Sequence, residues 1–141
     1  MPEANTAPKI QILDFTARYG SITVLKSLTL DLFPNERLAI IGPASSGKTS
    51  LLRCLNRLND LHHGFSHDGR ILLDGKDIYN PEEDVAQLRR KVGMVYAVPV
   101  PLPWSIYDNI VYGLKLTGER SRSTLDARVE HSLRGAVLWD E

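Results

Sequence analysis

The chain has 141 residues, 43% hydrophobic and 24% charged, the proportions of an ordinary globular protein large enough to bury a core. Lys plus Arg and Asp plus Glu number 17 each, so the net charge is zero and argues for neither nucleic acid nor an anionic membrane surface as a partner. The single cysteine, Cys54, excludes an internal disulfide and fits a reducing compartment, and no apolar run reaches the length of a membrane span, so a cytoplasmic protein is expected. In chain order, residues 1–8 hold no apolar signal core and read as a flexible tail. Two strand-like stretches, 9–15 and 24–33, flank Tyr19-Gly20-Ser21. Pro34-Asn35-Glu36 is a turn leading to an apolar run, 37–41, suited to a buried strand. Residues 48–59 place Leu51, Leu52, Leu55 and Leu58 at helical spacing. A polar loop at 62–69, a strand at 70–73 and the hairpin dipeptide Asp74-Gly75 follow. A helix over 83–91 and a short strand over 92–96 complete a core spanning 9–96. Pro99, Pro101 and Pro103 then force an extended linker at 97–103. Helical patterns at 105–114 and 124–139 mark a partial helical subdomain, 104–141.

The most informative run is 42–49, G-P-A-S-S-G-K-T, which satisfies the phosphate-loop spacing G-x-x-x-x-G-K-[ST]. Gly42 and Gly47 allow close approaches that a Cβ would obstruct. The amides of Pro43's successors Ala44, Ser45 and Ser46, continuing to Ser50, can then turn inward as a nest of donors for phosphate oxygens. Lys48 supplies a point charge to the β- and γ-phosphates, and the Thr49 hydroxyl is placed to ligate Mg²⁺. The strand before and the helix after supply the context of an anion site at a helix N-terminus. The pattern predicts a nucleotide site.

Other residues carry plainer readings. Cys54 reads as a small buried hydrophobe. His62, His63 and His67 lack a Cys or carboxylate pair to complete a tetrahedral metal set and read as a solvated loop. Arg53 and Arg57, one turn apart, read as a solvent-facing or subunit-facing pair. Arg89-Arg90-Lys91 reads as a solvated helix end that complements the helix dipole.

Taken together the motifs resemble the ATP-binding subunit of an ABC transporter from about residue 9 onward. R-C-L-N-R-L-N-D-L at 53–61, D-I-Y at 77–79, P-W-S-I-Y-D-N-I-V-Y-G at 103–113 and S-L-R-G-A-V-L-W-D-E at 132–141 are similar to the bacterial phosphate-importer branch. The resemblance implies an α/β fold: a P-loop NTPase core, an antiparallel β subdomain and the start of an α-helical subdomain. It implies ATP and Mg²⁺ as cofactors, Tyr19 stacked on adenine, and transmembrane permease subunits and a second ATP-binding subunit as partners, with no nucleic acid. It also implies a peripheral position on the inner face of the cell membrane, with 97–113 toward the membrane subunits. A core role is the competing reading of Tyr19, and subdomain packing that of Trp104 and Tyr107.

The sequence departs from the family pattern as well. Ala97 stands where the family has a glutamine that contacts Mg²⁺ and water, and a methyl group can do neither. P-V-P-L-P at 99–103 replaces P-N-P-F-P. An L-S-G-G-Q-type signature, the catalytic glutamate on an acidic strand end and the switch histidine do not occur. Asp74 and the Asp140-Glu141 pair imitate the acidic strand end, but the first follows a hairpin strand and the second a helical pattern. The expectation is therefore the front half of a longer ATPase, binding nucleotide weakly at best and unable to turn it over alone. A self-contained small P-loop kinase using Asp140 or Asp74 for metal, and a non-catalytic nucleotide-responsive interaction module, are the alternatives.

Overall fold

A computed structural model describes residues 7–140. Most of the expected tail at 1–8, and Glu141, lie outside the described residues. The chain divides into two compact units, the first ending at Val95 and the second beginning at Tyr96.

The first unit is built on an antiparallel sheet in the order β2-β1-β3-β4, formed by β1 (Ile10–Tyr19), β2 (Ile22–Leu32), β3 (Phe65–Leu73) and β4 (Lys76–Asp77). Both β1 and β2 run further toward their shared turn than the alternation of apolar residues predicts. The reason is a band of bulges across the sheet. Asp14, Ser27 and Gly69 all have positive φ, and the β1–β3 register slips between Leu13 and Thr16. Thr29 Oγ1 accepts from the Asp14 amide at 3.1 Å and Thr16 Oγ1 from the Ser27 amide at 3.0 Å, so hydroxyls replace ladder partners there. Each slip reverses the face to which later side chains point. Ile12 before it and Phe15 and Ala17 after it are consequently all buried, which breaks the period of two in the sequence.

Across this sheet lies α1 (Lys48–Leu55), whose Leu51 and Cys54 join Ile12, Phe15, Ala17 and Ile71 in the main core. The expected helix over 48–59 is shorter in the structure. Arg57 adopts a left-handed conformation (φ 58°), and a 3₁₀ turn over Leu58–Leu61 follows. The carbonyls left without helical partners are taken up by Arg89 of α2 (Val85–Lys91), which donates to the Asn56 carbonyl at 3.2 Å and the Arg57 carbonyl at 2.9 Å. Arg89 is thus a clamp on the end of α1 rather than a merely solvated helix end. Arg57 is likewise no solvent-facing partner of Arg53: it donates to Asp60 at 2.8 Å and to the Ile78 carbonyl at 3.3 Å, and lies over the Tyr79 ring. α2 itself starts where Asp84 accepts from the Ala86 and Gln87 amides, an N-cap that holds the carboxyl below its usual range.

Two expected strands, 37–41 and 92–96, form no ladder among the described residues. A strand needs a neighbour's donors and acceptors, and neither run is paired with another strand among the described residues. Leu38, Ile40 and Ile41 stay exposed, Ile41 at 92%. The Asp74-Gly75 hairpin forms as expected and joins β3 to β4.

In the second unit, α3 (Ile106–Leu116) and α4 (Arg122–Gly135) pack through Val111, Leu125 and Val129, with caps from Ser105 and Ser121. The Tyr107 hydroxyl donates to Asp126 at 2.7 Å, which places Tyr107 in helix packing, whereas Trp104 stays half exposed against the edge of Tyr112. α4 stops at Gly135 instead of continuing to 139. The Leu138 amide returns to the Leu133 carbonyl and the Val137 amide to the Arg134 carbonyl, a Schellman closure with Val137 in the left-handed position at φ 61°. A β-branched residue is costly there, and Val137 is 84% exposed, so little packing is lost by removing it. Val137→Gly should stabilise the second unit by about 1 kcal/mol, measured as a rise in the denaturation midpoint.

The loop expected around the histidines is also corrected at one position. β3 begins at Phe65, so His67 lies on a strand, tilted against Tyr79 at 3.9 Å between centroids and stacked on Phe15 at 5.4 Å. Its Nδ1 is buried without a partner. Burial lowers the His67 pKa, opposed by Asp60, Asp77 and Asp68 and aided by Arg57. A base with a lowered folded pKa binds protons in the unfolded chain first. Its contribution to stability is therefore complete above about pH 6.5 and declines as pH falls through the folded pKa. Thermal unfolding followed from pH 8 to 5 should show this decline, and His67→Phe should flatten it.

Candidate nucleotide-binding site

Residues 42–46 form an irregular exposed loop that feeds directly into α1. Gly47 is the N-cap, at φ 89°, and no side chain caps the helix, so the first-turn amides remain free to bind a ligand. The Leu51 amide closes the first helical turn onto the Gly47 carbonyl at 2.8 Å. Gly47 is fixed by space as well as by angle: a Cβ there would lie 2.5 Å from the Val24 carbonyl oxygen and 3.1 Å from Leu25 Cδ2. The loop therefore presses against β2 at the one residue that permits it. Helix dipole and free amides make this end of α1 electropositive.

Lys48 folds back over the loop. Its Nζ donates to the Gly42 carbonyl at 2.9 Å, the Pro43 carbonyl at 2.6 Å and Ser46 Oγ at 3.2 Å. A cleft of about 270 Å³ opens in front, lined by Val24, Ser45, Ser46, Gly47, Lys48, Thr49 and Ser50. Six of the ten residues expected at the site thus share one cleft, and Gly42 and Pro43 bound it through Lys48. Ala44 is exposed in the loop and does not line it. Hydroxyls, amides and one ammonium line the cleft, with no carboxylate. Such a set suits an anion with several oxygens and supplies no general base.

Tyr19 does not line the cleft. Half-buried at the end of β1, it lies edge-on to His62 and tilted against Phe65, and its hydroxyl donates to Asn59 Oδ1 at 2.6 Å. Asn59, fully buried, was not singled out by sequence. The available signal was a polar residue amid leucines at helical spacing. Cys54 is buried as expected, its thiol pushed up to about 11 by burial, and takes no part as a nucleophile. Asp74 is paired with Lys9 at 2.7 Å in the hairpin turn, and Asp140 follows the closure of α4; neither lines the cleft. Among the described residues no group of three His, Cys, Asp or Glu side chains is placed to hold a metal ion.

The sequence model of the ABC transporter family matches residues 25–140, which include the whole cleft loop and both helical pairs. The chain belongs to the ABC transporter family. It is 48% identical over 136 residues to the phosphate import ATP-binding protein PstB 1 of Streptococcus pyogenes serotype M3 and, equally, of serotype M1. Those alignments take in 96% of this chain and 54% of each relative, so the chain spans about half the length of the curated relatives it matches. Among solved structures, a bacterial Atm1-family ABC exporter with ATP bound superposes with a TM-score of 0.71 at 27% identity, covering 99% of this chain and 23% of that one. The ABC ATPase fold, with its antiparallel sheet and helices, agrees with the expected α/β class.

Within an ABC-type chain, Gly47 and Lys48 should separate when mutated. Gly47→Ala should lose both anion binding and stability, by more than about 1 kcal/mol, because the angle and the Val24 contact both resist a Cβ. Lys48→Ala, whose bonds are exposed, should keep its denaturation midpoint within about 0.5 kcal/mol of the original while losing anion affinity. Paired denaturation curves and binding titrations check both.

Proposed function

We propose that this chain is the ATP-binding component of an ABC importer that energises uptake of inorganic phosphate across the cytoplasmic membrane. The observation that carries the reading is the uncapped start of α1 behind the 42–49 loop, with Lys48 beside it. Similarity to phosphate import proteins supports the solute and the importer class. The amides of 44–50 and Lys48 would hold the phosphates, and Thr49 Oγ1, at the cleft wall, would join phosphate oxygens and water around Mg²⁺. The ion would neutralise charge on the phosphoryl oxygens. Tyr19 would offer its ring to the adenine. Its half-exposed position at the end of β1 is compatible with that, and the hydroxyl is already occupied.

Partners follow from the same reading: transmembrane permease subunits, engaged through 97–113, and a second ATP-binding subunit that completes the site in a homodimer. No helix of the described residues is long and apolar enough to cross a membrane, which suits a peripheral subunit on the inner face. In such a subunit 9–96 would be the nucleotide-binding core, 97–103 a proline-rich linker and 104–141 part of the helical subdomain.

Turnover by the 141 residues alone is not expected. The cleft holds no carboxylate, and Ala97, in an exposed bend, offers no metal ligand. The same facts weigh against a small self-contained kinase, because Asp74 is committed to Lys9. A nucleotide-responsive module without turnover differs from the main reading only in its biological setting. In a titration with Mg-ATP the chain should bind, Lys48→Ala should bind at least about tenfold more weakly, and phosphate release should stay at the Lys48→Ala background. Release well above that background would defeat the non-hydrolytic reading, and absence of binding would defeat the site itself.

A further inference from the structure

Asn59 is a fully buried amide that belongs neither to the cleft nor to the apolar packing. Both hydrogens of its Nδ2 and its Oδ1 are bonded. Its Oδ1 accepts from the Tyr19 hydroxyl at 2.6 Å, and its Nδ2 donates to the Ser50 carbonyl at 2.8 Å and to Cys54 Sγ at 2.9 Å. The two acceptors on the Nδ2 side fix which way the amide faces, since reversing it would set Oδ1 against the Ser50 carbonyl. Tyr19 must then be the donor, with its hydroxyl held in one place. Ser50 lies in the first turn of α1, directly behind Lys48 and Thr49 on the cleft wall. One side chain therefore ties the aromatic at the end of β1 to the helix that bears the phosphate grip.

We infer that Asn59 is a positioning residue for nucleotide selectivity: it sets the distance and tilt of the Tyr19 ring relative to the phosphate-binding turn, so that base and polyphosphate of one purine nucleoside triphosphate are engaged together. This rests on the nucleotide reading above and on Tyr19 meeting the base. The ring also lies tilted against Phe65 and edge-on to His62, at 5.6 Å between centroids in each case, and His62 is exposed. Breaking this bond would leave the fully buried Asn59 Oδ1 without its Tyr19 partner, so the bond contributes to orientation.

The test compares ATP with inorganic tripolyphosphate, both with Mg²⁺, on the full chain. Tripolyphosphate reads the phosphate grip alone. In Asn59→Ala, ATP affinity should fall about tenfold while tripolyphosphate stays within about twofold. Tyr19→Phe breaks the same bond from the other side, keeps the ring and leaves Asn59 bound to Ser50 and Cys54. It should shift the ATP-to-tripolyphosphate ratio in the same direction, by about threefold, and serves if Asn59→Ala does not fold. In a Tyr19→Ala background, Asn59→Ala should have no further effect on the ratio. Equal losses for both ligands, or an unchanged ratio in Tyr19→Phe, would make Asn59 a structural residue only and overturn this inference while leaving the nucleotide site intact. An unmutated chain that binds neither ligand would overturn the nucleotide reading and this inference with it.

Discussion

The seat of α1 on the sheet is the constraint from which the site follows. Leu51 and Cys54 are the helix residues that enter the main core, against Ile12, Phe15, Ala17 and Ile71. Burying a leucine side chain contributes about 2 kcal/mol, enough to fix the axis of an eight-residue helix that would not persist alone. With the axis fixed, the position of its free amides is fixed too. Gly47 then closes the geometry by letting the backbone rest against Val24, and the Asn59 amide joins the helix to the end of β1. The far end is held by Arg89, whose guanidinium takes the carbonyls that α1 leaves open. A helix gripped at both ends and along one face is a firm platform for a charged ligand, which needs donors already in place rather than donors to be gathered.

Much of this was legible in the sequence because the chemistry is local. The spacing from Gly42 to Thr49 specifies a loop, a left-handed glycine and a helix start within eight residues, and the structure brings Ser45 to Ser50 to one cleft. The Asp74-Gly75 hairpin was equally local. What escaped was set by contacts distant along the chain. Asn59 looks like any polar residue in a helix until Tyr19, 40 residues earlier, meets it. Arg57 and Arg89 look like surface charge until the end of α1 supplies carbonyls for one and Asp60 for the other. His67 reads as loop because the bulge at Asp14, Ser27 and Gly69 hides the strand period that would have included it.

The helix ends show the same division. Starts carry a local signal, since Ser105, Ser121 and Asp84 each offer an acceptor of the right length at the N-cap, although the expected starts at 83 and 124 did not use it. Stops carry none. α1 ends at a left-handed Arg57 and α4 at a left-handed Val137, where glycine or asparagine would have signalled the turn. In α4 the main chain closes the Schellman pair regardless, so the backbone bonds outweigh the cost of a β-branched side chain at that angle.

The loop itself is unevenly held, and this bears on how it would meet a ligand. On the helix side, Gly47 to Ser50 is anchored by the packing of α1. On the other side, 37–41 enters without ladder bonds among the described residues, and Leu38 and Ile40 form, with Ile10, Ile12, Leu30 and Leu32, the walls of an apolar groove. Lys48 spans the two sides, since its acceptors Gly42 and Pro43 lie on the unladdered part. An anion with several oxygens entering the cleft would compete with those carbonyls for the same ammonium. The helix side of the cleft is therefore held by the core and the other side by the Lys48 bonds, so the cleft is built from the helix outward.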